Sequence, residues 1–232
     1  MSITAALARR LIAAALLALA ASAAHAAPAC TIGRAGVTQR VMVDDTGRAM
    51  LLHMPRGFDP TRPAPLVLLL HGSGGRGADI LAESKLAATA DRAGFILAAP
   101  DAGVPAGTGF AWNIPGVPTI NGTVPGPEAA NDVAYLEAAI DWLAARRCAD
   151  PARVYVTGLS GGGRMASWLG CVAADRIAAI APVVGLRAGN PLAGDPTRPD
   201  PATCHPSRPM PVIAFAGDHD TTNPIQGGGA GY

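Results

Sequence analysis

The stretch Arg153-Val-Tyr-Val-Thr-Gly-Leu-Ser160-Gly-Gly-Gly-Arg-Met-Ala-Ser-Trp-Leu-Gly170 constrains this chain more than any other. Val154–Thr157 is β-branched and aromatic, the composition of a buried strand. Gly158-Leu-Ser160-Gly-Gly162 follows at once, and Met165, Trp168 and Leu169 then recur at helical spacing. Strand, tight G-x-S-x-G turn and helix together form a nucleophile elbow. The glycines flank Ser160 because such a turn is strained and runs close to neighbouring backbone, where a Cβ would clash. The turn lifts the serine hydroxyl above the sheet and sets it at a helix N-terminus, where the dipole favours developing negative charge.

The rest of the chain supplies the matching elements. Val37–Val43 and Met50–Met54 flank the turn Asp44-Asp-Thr-Gly47 and predict a hairpin. Leu66–Leu70 is a continuous apolar run, as expected of a strand buried on both faces. One helix is expected over Ala78–Ala93, closed by Gly94, then a strand over Phe95–Ala99. Ala102–Gly126 is a Pro/Gly-rich loop, and Glu128–Arg147 has the strongest helical pattern of the chain. Ile177–Val184 and Val212–Ala216 predict two further strands, with an irregular, proline-punctuated connection between them. Strands alternating with helices indicate one α/β domain with a mostly parallel sheet flanked by helices. In such sheets active groups gather at strand carboxyl ends, where His71, Asp101, Ser160 and Asp220 all fall.

Eighteen basic against seventeen acidic residues leave a net charge of +1, so the chain lacks the electrostatic footprint of a nucleic-acid or membrane-surface binder. Residues 1–26 read as a secretory signal peptide: Arg9 and Arg10, an apolar run from Leu11 to Ala21, and Ala24-His-Ala26 as the cleavage site. No other segment could span a bilayer. Export makes two disulfides the default for Cys30, Cys148, Cys171 and Cys204. Three pairings are possible. Cys171–Cys204 with Cys30–Cys148 is preferred, because the first would tie the elbow helix to the loop leading into the next strand. No metal-ligand spacing is present, and neither metal nor cofactor is expected.

A serine hydroxyl needs a base, an acid that orients the base, and donors aimed at the oxyanion. The N–H of Gly161, just after the serine, is the first donor candidate. The N–H of Ser73, on the loop after the Leu66–Leu70 strand, is the second. His71 precedes the serine and reads as a loop-shaping residue, and Trp112 in the long loop is a candidate for lining the substrate cleft. His53, on the second hairpin strand, reads as structural, as do Trp142 and Trp168 on their helices.

Leu66–Leu70 with His71-Gly-Ser-Gly-Gly75, Asn131-Asp-Val-Ala-Tyr-Leu136, Asp150–Gly162 and Pro211-Val-Ile-Ala-Phe-Ala-Gly-Asp-His-Asp220 together resemble secreted α/β-hydrolases of the polyhydroxybutyrate depolymerase type. These are similar to feruloyl and acetylxylan esterases, and the resemblance runs from about Met50 to Gly228. It implies an α/β-hydrolase fold and a serine esterase acting through an acyl-enzyme on ester substrates, polymeric ones included. It also implies Asp220 as the acid, with Asp218 as the competing choice, since Gly217-Asp-His-Asp220 and Pro224-Ile-Gln-Gly-Gly228 match the family's acid loop.

The resemblance further implies a histidine base after the acid, yet no histidine follows His219. The expectation is therefore a C-terminally incomplete chain, with the last strand, the last helix and the base beyond Tyr232. Two rival readings stay open: a hydrolase-fold protein that binds without catalysis, and a peptidase of the same fold.

Overall fold

The computed structural model describes residues 29–187 and 189–226. The signal peptide assigned to residues 1–26 and the end of the acid-loop match, Gly227-Gly228, lie outside them. Thr38–Val43 (β1) and Arg48–His53 (β2) form the expected antiparallel hairpin, with Asp45 and Gly47 of the turn in the left-handed region. Ala64–Leu70 (β3) leads into the donor loop.

The single helix expected over Ala78–Ala93 is two helices, Gly77–Ser84 (α1) and Leu86–Ala93 (α2). Lys85 breaks them at φ 55° in the left-handed region, capping both. On either side of the break, Ile80 of one helix and Ala90 of the other pack onto Leu69, Leu97 and Ala99.

Ile96–Pro100 (β4) follows, buried throughout. The long loop holds a small antiparallel hairpin, Val104–Ala106 (β5) and Gly109–Ala111 (β6), that its proline and glycine content concealed. Asp132–Ala145 (α3) starts later than the pattern suggested, because the Asn131 side chain caps it by accepting the Ala134 N–H at 3.0 Å. The elbow strand Ala149–Leu159 (β7) and elbow helix Gly161–Val172 (α4) come next, then Ala179–Val183 (β8). The irregular connection contains a short hairpin, Pro191–Leu192 (β9) with Asp195–Pro199 (β10).

The main sheet has the order β1-β2-β4-β3-β7-β8 and is parallel from β4 to β8. Helices α3 and α4 cover one face over a core that includes Leu66, Leu68, Val154, Val156, Leu136 and Met165. Helices α1 and α2 cover the other face above β2, β3 and β4. Over β7 and the edge beyond β8 that same face leaves Tyr155, Leu159, Ile213 and Phe215 exposed.

Val212–Ala216 runs alongside β8 without forming a continuous ladder. Ile213 and Phe215 donate to the carbonyls of Ile180 and Pro182, both at 3.1 Å, and Val184 donates to Phe215 at 2.7 Å. The rung between them would need an N–H at Pro182, which proline does not have, so only isolated bridges form. Both preferred disulfides are present, Cys30–Cys148 and Cys171–Cys204. No helix among the described residues is long and apolar enough to cross a membrane.

Cys30–Cys148 closes a separation of 118 residues and Cys171–Cys204 one of 33. Chain-entropy reasoning assigns roughly 5 and roughly 4 kcal/mol to them. Replacing Cys30 and Cys148 by serine should therefore lower urea-unfolding stability by more than replacing Cys171 and Cys204. The reverse order would place the chief constraint at the elbow helix.

Candidate active site

The site is assembled where β3, β7 and β8 end. Ser160 has φ 52° and ψ −114°, a conformation few non-glycine residues adopt, costing about 1–3 kcal/mol. Its surroundings hold it there. The Ser160 N–H donates to the Val183 carbonyl at 2.9 Å, and its own carbonyl accepts the Arg164 N–H at 3.0 Å. A Cβ added at Gly162 would lie 2.2 Å from the Leu70 carbonyl oxygen, so the elbow presses directly onto the end of β3. Val184, a β-branched residue at φ 45°, adds a second strained position beside the first.

The donor loop meets the elbow at Gly161. A Cβ there would fall 3.1 Å from the Ser73 nitrogen and 2.3 Å from the Ser73 Oγ. The two N–H groups proposed from the sequence are thus neighbours in space. The Ser73 N–H has no acceptor among the described residues, and the first N–H of a helix has no intrahelical one.

His71 is a strut of this loop. Nε2 accepts the Ala102 N–H at 2.9 Å while Nδ1 lies 2.7 Å from the Gly72 carbonyl, which fixes the proton on Nδ1 and leaves the ring neutral. Burial pushes its pKa below the ordinary histidine value. Trp112 is almost fully buried: its Nε1 donates to the His71 carbonyl at 2.8 Å, and its ring lies 5.0 Å from the imidazole. It also borders a narrow cleft together with Ser73, Gly161, Arg164, Ile114 and Thr119.

Beneath the cleft lies a network the sequence did not announce. Asp132, fully buried, accepts from Asn113 N–H and from Arg48 Nη2, each at 2.7 Å. Arg48 also donates to the Asp101 carbonyl at 2.7 Å and lies 3.7 Å from the Tyr135 ring centroid. Burial raises the pKa of Asp132, and the Asn113 and Arg48 donors oppose that rise.

The structure separates the two acid candidates. Asp220 is partly buried and its Oδ1 accepts the N–H groups of Thr222 and Asn223, both at 2.8 Å. Its Oδ2 has no partner among the described residues. Asp218 pairs with its neighbour His219 at 2.9 Å, and both side chains are at least 90% exposed. The remaining described histidines are elsewhere: His53 sits between Thr38 and Asp91 on β2, and His205 is exposed. None of them hydrogen-bonds Ser160. Sequence reasoning passed over Arg164 and Asn223, which join the elbow helix to the acid loop. An arginine inside the apolar stripe directly after the elbow was the available signal.

A parallel sheet with a serine on a strained strand–helix turn, facing a donor loop from the neighbouring strand, defines an α/β-hydrolase. Residues 49–195 match the family Esterase PHB depolymerase, and the chain belongs to that family. Feruloyl esterase B of Piromyces equi is 32% identical over 183 residues, 78% of this chain and 31% of that protein. NocK of Nocardia uniformis subsp. tsuyamanensis, provisionally named an esterase, is 36% identical over 191 residues, 82% of this chain and 50% of that protein. The chain therefore spans half or less of these two relatives' lengths. The fold is shared with the esterase Est2 of the Planctomycetes species Thermogutta terrifontis, with a TM-score of 0.57 at 16% identity over 82% of this chain and 73% of that one.

The buried neutral state of His71 carries a pH signature. Its folded pKa lies below its unfolded value of about 6.5, so the unfolded chain binds the extra proton and stability falls as pH drops below about 6.5. Between pH 7 and pH 5 the melting temperature of the wild type should fall more steeply than that of His71→Gln. Parallel curves would mean that His71 titrates alike in both states.

Proposed function

We propose that this chain carries the nucleophile of an exported serine ester hydrolase. The single observation that carries the reading is Ser160, strained at the start of α4, with the Ser73 N–H beside Gly161. Ser160 Oγ attacks the ester carbonyl and its proton passes to a base. The N–H groups of Gly161 and Ser73 hold the tetrahedral oxyanion as it forms. Collapse expels the alcohol, which takes the proton from the base, and leaves an acyl-Ser160. Water, activated by the same base, then releases the acid and restores the serine.

In this reading the open Oδ2 of Asp220 orients the base, a position that none of the described histidines occupies at Ser160. The deep exposure of Asp218 speaks for Asp220 as its partner. The likeness to a feruloyl esterase and the family's name favour ester substrates carried on polymers: polyhydroxyalkanoate, or feruloyl and acetyl groups on plant polysaccharide. Trp112 contributes to the cleft mainly by fixing its floor. Two disulfides and the Ala24-His-Ala26 site favour export.

The test uses the protein as its gene encodes it, purified intact. A fluorophosphonate probe should label Ser160, and short p-nitrophenyl esters should turn over. Ser160→Ala should lose both. Absence of labelling in the intact protein would favour the non-catalytic binding reading, which the lack of a described histidine at Ser160 keeps in play. Gly161→Ala drives a methyl into Ser73, displacing an oxyanion donor, and should lower kcat by about 10²–10³-fold with the fold retained. Wild-type kcat in that variant would remove Ser73 from the oxyanion site.

A further inference from the structure

We propose that Arg164 is a positioning residue that clamps the acid loop to the nucleophile helix, with Asn223 as the relay. The inference deepens the reading of Ser160 and Asp220 given above and rests on it for its catalytic consequence. Arg164 stands in the first turn of α4, and its N–H donates to the Ser160 carbonyl at 3.0 Å, so its backbone is fixed relative to the nucleophile. Its side chain is buried, which for an arginine requires strong partners. One of them is Asn223: Arg164 Nη2 donates to Asn223 Oδ1. Asn223 in turn donates its N–H to Asp220 Oδ1 at 2.8 Å. Guanidinium, Asn223 (accepting through its side chain and donating through its backbone) and carboxylate form one chain from the elbow to Asp220.

Little else among the described residues holds that loop. Gly217, Asp218 and His219 are exposed, and the turn closes on itself through Asp220 N–H to the Gly217 carbonyl at 3.3 Å. The segment leading into it is the edge run interrupted at Pro182. A charge-assisted bond from a rigid planar donor is the contact best suited to fix such a loop at a set distance from the serine. Lysine, a flexible point charge, would not fix the Asn223 carboxamide in one orientation.

The test compares Arg164→Gln, Asn223→Ala and Asn223→Asp in the intact protein. The first two should lower kcat by up to about 100-fold, the scale of an ångström-sized misplacement, while KM stays within about twofold. Combining them should cost no more than the larger single effect, as for residues acting as one unit. Asn223→Asp still accepts from the guanidinium and should keep kcat near wild type. Amide exchange at Thr222 and Asn223 should speed up in the first two variants and not in the third. Unchanged exchange there overturns the clamp, as does a rise in KM at constant kcat, which would make Arg164 a wall of the substrate cleft only. Should Arg164→Gln fail to fold, Asn223→Ala against Asn223→Asp carries the same comparison. A wild type without turnover would defeat the esterase reading alone, because the exchange comparison decides the clamp without it.

Discussion

The architecture depends on the contact between the elbow and the backbones on either side of it. On one side the Ser160 N–H is held by the Val183 carbonyl. On the other, Gly162 lies so near the Leu70 carbonyl that no side chain could stand between them. Three parallel strands are thereby locked at their carboxyl ends around one residue with an unfavourable backbone. A strained φ persists only where its surroundings over-determine it. Here the glycines and the β8 end do so, and Val184 shares the strain. The same crowding leaves the serine at the start of a buried helix, with the neighbouring loop's Ser73 N–H beside Gly161.

The donor loop is held from below by polar groups in a sequence of dependencies. Ser73 keeps its place because His71 is pinned by Ala102 and Gly72, and the His71 carbonyl is pinned by Trp112. The residue after Trp112, Asn113, is fixed in turn by Asp132, whose charge is answered by Arg48. A buried carboxylate costs several kcal/mol unless it is paired and hydrogen-bonded. The pairing here comes from the N-terminal hairpin, so β2 supports the donor loop although it carries none of the chemistry.

How much of this was legible depended on range. The elbow could be read because its requirements are local: a β-branched run, glycines at fixed offsets, then a helical stripe. The disulfides could be preferred because Cys171 and Cys204 flank elements whose order was already clear. Lys85 escaped because neither glycine nor proline marks that break; packing against Leu97 and Ala99 decides it. Pro182 was visible, yet its effect on the edge run depends on which carbonyl needs a donor, a matter of register. Arg48 and Asp132 are separated by 84 residues and Arg164 and Asn223 by 59. Such pairs leave no periodicity in a single sequence, and only the fold brings them together.

The two halves of the site are built to different standards. Ser160, Gly161 and Ser73 sit at the ends of the inner strands β3 and β7, between the backbones of Leu70 and Val183 and with helices packed over one face. Asp220 sits beyond an interrupted edge run, on a sheet face where Tyr155, Leu159, Ile213 and Phe215 meet solvent. Apolar side chains of that size contribute little while exposed, so this edge gains far less from burial than the centre does. The position of Asp220 must then come from directional bonds. An Asx-type turn sets the Asp220 carboxylate against its own backbone, and the Arg164–Asn223 contact sets that turn against the elbow. The Arg164–Asn223 contact thus adds a side-chain link between the elbow and the Asp220 turn to the backbone bonds that the end of β8 makes with the edge run, so Ser160 is held by backbone on both sides while Asp220 depends on fewer, more directional bonds.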